Sequence, residues 1–160
     1  MRPALTFRIA HADDLARISA LLEANALPTS DFADSRPEFV IAEEGSMLLG
    51  VGALQCFGDV ALLRSLAVAE PRRGTGIGRE LVRELERCAS ARGVRELVLL
   101  TQTAESFFRR HGYRNAERSG LPPAILATTE FRGLCPASAA CMSKRLDGER
   151  EVRTPAPHTT

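Results

Sequence analysis

The residues with the clearest chemical use lie between Leu66 and Gly78. There a short apolar stretch, Leu66-Ala-Val68, passes through Glu70, Pro71, Arg72 and Arg73 into a turn carrying Gly74, Gly76 and Gly78. Directly after it, Leu81, Val82, Leu85 and Cys88 recur at helical spacing until Gly93 stops the pattern. A strand that enters a helix through glycines can hold an anion. The first turn of a helix has N–H groups without intrahelical partners and a partial positive charge, and glycines let a ligand come close to the backbone. The segment is a candidate pyrophosphate cradle. It is not a Walker loop, because no Gly-Lys-Ser/Thr follows. It also fits a dinucleotide fingerprint poorly, since the strand before it follows two hairpin strands and does not open a βαβ unit. A tight turn without a ligand is the competing structural reading.

Other elements must position this turn. Thr6 to Ala10 alternates weakly, and His11 to Asp14 gives an acidic start to a helix with apolar residues Leu15, Ile18, Leu21 and Leu22. Leu27 to Asp31 breaks that helix and caps a second short turn, expected to cover part of a cleft. Phe39 to Ala42 and Met47 to Phe57 read as strands joined by a turn at Glu43, Glu44 and Gly45. After Gly58 and Asp59 a third antiparallel strand spans Val60 to Ala69. Beyond the glycine turn and its helix, Leu97 to Leu100 lacks polar alternation and reads as a strand buried on both faces. A short helix follows over Ala104 to His111, then an extended piece from Tyr113, then helical turns between Leu121 and Phe131, and a final strand over Ala139 to Leu146. The expected architecture is α+β, a mixed and mostly antiparallel sheet flanked by helices. One domain is expected over residues 1–146. The polar segment 147–160, with Pro155 and Pro157, lacks the apolar residues to offset the entropy of ordering it and is expected to be disordered.

Composition narrows the function classes. The chain has 160 residues, with 21 basic against 20 acidic side chains and a formal charge of +1, so charge gives no reason to expect nucleic acid or an anionic membrane as partner. Trp is absent and aromatics make up 5%, which argues against a base-stacking surface. No apolar run approaches the roughly 20 residues of a membrane span, and Met1 to Ala10 has no signal-peptide core, so a cytoplasmic protein is expected. Cys56, Cys88, Cys135 and Cys141 show no C-x-x-C spacing and are expected as free thiols, with no metal bound.

Arg73-Gly-Thr-Gly-Ile-Gly78 resembles the R/Q-x-x-G-x-G/A coenzyme A motif of the GNAT acetyltransferases, preceded by their usual Leu-Ala-Val strand end. Ala104-Glu-Ser-Phe-Phe-Arg-Arg-His-Gly-Tyr113 is similar to their second signature, a short helix followed by Gly-Tyr/Phe, and the element order matches the superfamily through about residue 146. More narrowly, Leu62 to Val68, Leu99 to Phe108 and Leu134 to Met142 resemble a branch named for arsenic-resistance N-acetyltransferases. The resemblance implies acetyl transfer from acetyl-CoA, without a metal, to the amine of a small amino-acid-like acceptor, including arsenic- or phosphorus-containing analogues. A monomer or homodimer is expected. Two alternatives stand beside this: a degenerate domain that binds acetyl-CoA as a sensor, and an enzyme acting on protein or peptide amines.

The resemblance also assigns residues. Leu66, Ala67 and Val68 would line the pantetheine arm, and Arg73, Gly74, Thr75, Gly76, Ile77, Gly78 and Arg79 would cradle the pyrophosphate, with Arg72 a solvated neighbour. Thr101 would contact the cofactor and Thr103 the acceptor, unless they serve as helix caps. Strand alternation puts Arg64 on the face of Leu62, Leu66 and Val68, where its guanidinium would suit an acceptor carboxylate, arsonate or phosphonate; a structural ion pair is the alternative, and a bulge would reverse the alternation. Phe108 stands where many members place a thiolate-protonating tyrosine. Tyr113 is expected in the core, and His111 at a helix end. No carboxylate stands near Leu62 or on the Leu97 to Leu100 strand, so Glu43, Glu44, Glu105 or a chain of waters are the candidates for the base. Cys135 and Cys141 invite arsenic chemistry, but small buried apolar packing is the better reading. Cys56 and Cys88 are expected in the core.

Overall fold

A computed structural model describes residues 4–134 and 138–146. Its strands are β1 (Leu5–Ile9), β2 (Glu38–Glu44), β3 (Met47–Phe57), β4 (Val60–Val68), β5 (Glu96–Thr101), β6 (Arg114–Asn115) and β7 (Ala140–Arg145). The helices are α1 (Leu15–Ala24), α2 (Phe32–Ser35), α3 (Ile77–Ala91), α4 (Glu105–Arg110) and α5 (Pro123–Leu126), and a wide irregular turn covers Glu130–Leu134. The tail predicted from 147 and the Cys135 thiol lie outside the described residues.

The strands form one sheet in the order β1-β2-β3-β4-β5-β7-β6. β1 pairs antiparallel with β2 after the chain has passed through α1 and α2, two successive hairpins add β3 and β4, and only β4 and β5 run parallel, because α3 carries the chain across between them. β5, placed inside the sheet, is buried from Leu97 to Leu100 as its continuous apolar run requires. β2 continues through Glu43 and Glu44, and Gly45, with φ of 63°, makes the turn, which begins two residues later than the sequence suggests.

Two layers of side chains cover the sheet. On one face Ile77, Leu81, Val82, Leu85 and Ala89 of α3 pack with Leu63, Leu97, Leu99, Phe108 and Tyr113. On the other, Ile18 and Leu22 of α1 and Phe32 of α2 pack on Ile41, Val51, Ala53 and Ala67, while Ile125 of α5 covers Leu62, Val98 and Leu100. Cys141 is buried in this last group, whereas Cys56 is exposed near the end of β3 and Cys88 half-buried on α3. The core expectation fails for Cys56 because it lies outside the layer that α3 and α1 cover.

A bulge in β4 decides which residues face which layer. Ala53 pairs with Arg64 and Val51 with Ala67, so Ser65 and Leu66 together stand opposite Gly52. Ser65 takes a left-handed φ of 58°. Before the bulge Leu62 and Arg64 face away from α3. After it Leu66 and Val68 face α3, and Ala67 faces α1. Gly52 is required here by close packing. A Cβ on it would come within 2.5 Å of Leu85 Cδ1 and 3.2 Å of Leu66 Cδ1. Gly52→Val should therefore cost roughly 1–3 kcal/mol through overpacking. Urea unfolding should show the lower midpoint, and an unchanged midpoint would remove the close-packing argument.

Candidate active site

The parallel pair β4–β5 is short. Val60, Ala61 and Leu62 pair with Glu96, Leu97 and Val98, and no pairing is made beyond them. Leu63 to Val68 and Leu99 to Thr101 diverge instead. Two cavities lie along the separated strands. The inner one has a volume of about 380 Å³, and the outer one, at the start of α3, about 760 Å³. β4 and α4 contribute to both: Leu66 and Phe108 line the inner cavity, Val68 and Phe107 the outer.

The outer cavity gathers residues expected to form the cradle. Gly74 and Gly76 have φ of 81° and 94°, left-handed values that glycine adopts without strain, and Gly76 caps α3 without any side-chain hydrogen bond. The first intrahelical bond is from Glu80 N–H to Gly76 C=O at 3.1 Å, so the amides of the preceding turn remain available to a ligand. Gly74, Gly76 and Gly78 line the cavity together with Arg72, Arg73, Arg79, Arg83 and Arg110. Arg72 is also paired with Glu44, with Nη1 to Oε1 at 2.9 Å, and Arg73 donates from Nη2 to Asn25 Oδ1 at 2.5 Å. Ile77 and Thr75 contribute differently. The Ile77 side chain is in the core, and the Thr75 hydroxyl donates to Arg72 C=O at 2.5 Å. Arg83, Arg110 and Phe107 were not anticipated: they reach the cavity from the second turn of α3 and from α4, and only the folding of α4 beside the start of α3 brings them together. His111 ends α4 and lines the same wall. Its burial and the charge of Arg110 push its pKa down, favouring neutral imidazole.

The inner cavity holds the acceptor-side residues. Arg64, Ser65, Thr101, Gln102, Thr103 and Phe108 line it, and Asn25 to Pro28 of the α1–α2 connection cover it. The Thr101 hydroxyl accepts the Ala104 N–H at 3.0 Å, so Thr101, not Thr103, supports the start of α4. Arg64 takes the ion-pair alternative. Its Nη1 and Nη2 donate to both oxygens of Asp31, at 2.6 and 2.8 Å, Nη1 also donates to Gln55 at 3.1 Å, and its side chain has no exposure. The bulge at Ser65 explains the departure from the alternation. Leu62 and Arg64 share a face that Leu66 and Val68 do not.

None of the three predicted carboxylates reaches this cavity. Glu43 lies between Arg8 and Arg17, which hold its pKa down, Glu44 pairs with Arg72, and Glu105 is bound to Arg109 and Asn115 on the surface. The carboxylate lining the cavity is Glu130, which is 4% exposed and has Oε1 3.3 Å from Arg64 Nε. Its sequence position, in the long connection after Pro122 and Pro123, carries no motif. Only the folding of that connection back over β4 brings it here. Phe108 is buried against Phe107 and Tyr113, and the Tyr113 hydroxyl donates to Glu86 at 2.9 Å on the far side of α3. Tyr113 is thus a core aromatic, as predicted. Among the described residues no group of three or more His, Cys, Asp or Glu side chains could hold a metal, and no helix is long and apolar enough to cross a membrane.

The profile of the acetyltransferase (GNAT) domain matches residues 35–115, which is half of the chain and includes the cradle and α4. The chain belongs to the GNAT family, and its seven-stranded mixed sheet flanked by helices is that family's α+β fold. It is 35% identical over 105 residues to an uncharacterized N-acetyltransferase of Chlorobaculum tepidum, covering 65% of each chain. It is 30% identical to an amino-acid acetyltransferase of Aeromonas salmonicida over 53% of this chain and 20% of the other. The chain thus spans less than two thirds of the length of these relatives. Among solved structures, N-acetylglutamate synthase from Neisseria gonorrhoeae, complexed with coenzyme A and N-acetyl-glutamate, superposes with a TM-score of 0.77 at 24% identity, over 91% of this chain and 36% of that one.

The buried charges give a pH signature. Burial raises the Glu130 carboxyl from 4.5 to about 7, against the pull of Arg64 and with Asp31 adding to the rise. The folded state therefore holds this proton more tightly than the unfolded chain, and Glu130 withdraws stability as pH rises from about 4.5 to 7, by at most roughly 3 kcal/mol. Asp31 acts in the opposite sense. Burial pushes its pKa up, but hydrogen bonds from Arg64 and Thr129 outweigh that and hold it at about 2. Its contribution is present above the unfolded value of 3.8 and is lost as pH falls toward 2. Unfolding midpoints measured from pH 4 to 8 should decline less steeply through this range in Glu130→Gln than in the parent protein, whereas parallel curves would contradict the assignment.

Proposed function

We propose that the protein is an N-acetyltransferase that moves an acetyl group from acetyl-CoA to the amine of a small, amino-acid-like acceptor. The observation that carries this reading is the pair of connected environments along β4: arginines and uncapped amides at the start of α3, and a small cavity with one carboxylate farther in. The pyrophosphate would sit on the amides around Gly74 to Arg79, with the pantetheine arm following Leu66 to Val68 toward Thr101. Ala67 would act through its backbone, because its side chain is packed under α1. The coenzyme A bound in the gonococcal synthase supports this choice of cofactor.

Acetyl transfer then needs the reacting amine at the inner end of the arm. The inner cavity, about 380 Å³ and covered by Asn25 to Pro28, suits a small molecule better than a folded protein surface. With the Arg64 fork occupied by Asp31, an acceptor's carboxylate or its arsenic or phosphorus counterpart would be bound by the Ser65 and Thr103 hydroxyls and the Asn25 and Gln102 amides. The amino-acid acetyltransferase of Aeromonas salmonicida favours the same acceptor class. Phe108 offers no proton to the departing thiolate, so the thiolate would take one from the amine it has just acylated.

The experiment is calorimetric titration with acetyl-CoA followed by thiol release with free amino acids, arsenic- and phosphorus-containing analogues, and peptides. Turnover of the small amines above peptides supports the reading. Binding without thiol release would replace it with a binding-only protein, and transfer to peptides alone would replace the acceptor. The cradle is tested separately with Gly76→Glu, which places a negative charge and a side chain at φ of 94° beside the proposed pyrophosphate. Coenzyme A affinity should fall at least tenfold, about 1.4 kcal/mol, in protein that retains its helical circular dichroism. Parent-like affinity would remove the pyrophosphate from this turn.

A further inference from the structure

The inner cavity contains one carboxylate, and it belongs to no sequence motif. Glu130 projects from the connection after α5 into the floor of the cavity and is 4% exposed. An amine acceptor enters neutral solution as an ammonium ion, and its nitrogen has no lone pair for attack until a proton leaves. Among the residues lining the cavity, Arg64 is a permanent cation, and the remaining polar groups are hydroxyls and amides, too weakly basic to take a proton near neutral pH. Resting on the acetyltransferase reading above, we infer that Glu130 is the proton acceptor for the substrate ammonium and that the Asp31–Arg64 pair holds it in position.

The geometry explains why Glu130 and not Asp31 has this role. Asp31 receives both ends of the Arg64 fork and the Thr129 hydroxyl, the last at 2.6 Å, so its oxygens are committed. Glu130 faces the Nε edge as an ion pair at 3.3 Å, while the Nε–H itself donates to Ser65 Oγ, also at 3.3 Å. The charged groups facing it are Arg64 from β4 and Asp31 from the α1–α2 connection, which together are near neutral. Glu130 is therefore the less committed carboxylate, lining the cavity beside a cation already claimed by Asp31, and its burial raises its pKa to about 7, which suits a base working near that pH. In the step itself one ammonium proton passes to Glu130. The freed nitrogen lone pair forms the N–C bond to the thioester carbonyl carbon, the C–S bond breaks toward sulfur, and the thiolate leaves with the second amine proton as free thiol. Glu130 returns its proton to solvent before the next cycle.

The test compares the parent protein with Glu130→Gln and Glu130→Asp, using acetyl-CoA and the best amine from the panel, across pH 5.5 to 9.5. We expect Glu130→Gln to lose at least 100-fold in kcat/KM at pH 7, within the usual range for removing a general base, with unchanged affinity for coenzyme A. Its acid limb should move from near pH 7 to the ionisation of the acceptor amine, and Glu130→Asp should recover part of the rate. A weakly basic amine such as hydroxylamine, already neutral at pH 7, should be far less sensitive to the substitution; a merely structural role would slow both amines alike. A parent-like rate and pH profile in Glu130→Gln would overturn the assignment while leaving the enzyme reading intact. A parent protein that binds acetyl-CoA yet acetylates no amine would overturn both.

Discussion

The separation of β4 from β5 is the constraint on which the rest depends. A parallel pair inside a sheet would ordinarily stay hydrogen-bonded along its length, since buried backbone groups without partners are costly. Here pairing stops after Leu62 and Val98, and the bulge at Ser65 turns β4 away at the same level. The backbone beyond is left beside a cavity, available to a ligand. This single departure from regular pairing opens the inner cavity, aims Leu66 and Val68 toward α3, and delivers the chain into the glycine turn at the height where α3 begins. Gly50 and Gly52 on β3 let α3 lie close against the sheet behind this opening, so the start of the helix is fixed relative to the cleft.

The charges inside the cleft follow from the same bulge. Arg64 is turned inward, away from α3, and a buried guanidinium is strongly unfavourable unless it is paired. Asp31 supplies the pair from a loop 33 residues away, and Phe32 places its ring 5.4 Å from the guanidinium carbon. One cation cannot neutralise two carboxylates. The better-bonded one, Asp31, stays ionised with its pKa at about 2, and the other, Glu130, rises to about 7. The arrangement joins β4, the α1–α2 connection and the turn after α5, and it orders the two loops that close the cavity. Its net worth to stability is small by the usual accounting of buried ion pairs, so its value lies in fixing where those loops go.

How far the site can be read from sequence depends on which part of the chain builds it. The strands, helices and glycine turn are local: apolar periodicity marks α3, the continuous run Leu97 to Leu100 marks β5, and three glycines within five residues mark the turn that leads into α3. Arg64 was ambiguous because alternation holds only until a bulge, and nothing in Arg64-Ser-Leu66 signals that Ser65 will adopt a positive φ. Glu130 was invisible for a different reason. Its chemistry comes from burial and from partners at positions 31 and 64, and a single glutamate in a connection without a motif looks like any surface charge. Glu43 and Glu44, candidates for the base by sequence, are each neutralised by arginines from neighbouring elements.

The contrast between the two cavities has a physical basis. A pyrophosphate can be held by backbone amides, whose direction is set by the helix itself, and this end of the cleft needs glycines more than any particular side chain. The acceptor end has no such template. It is assembled from β4, β5, the α1–α2 connection and the segment after α5, and each contributes side chains whose placement depends on the others. The two ends still communicate through one contact. Arg73 of the cradle is hydrogen-bonded to Asn25, and Asn25 also lines the inner cavity. The same connection carries Asp31, which pairs with Arg64, so one stretch of chain between α1 and α2 touches the glycine turn at one end and the buried charge cluster at the other.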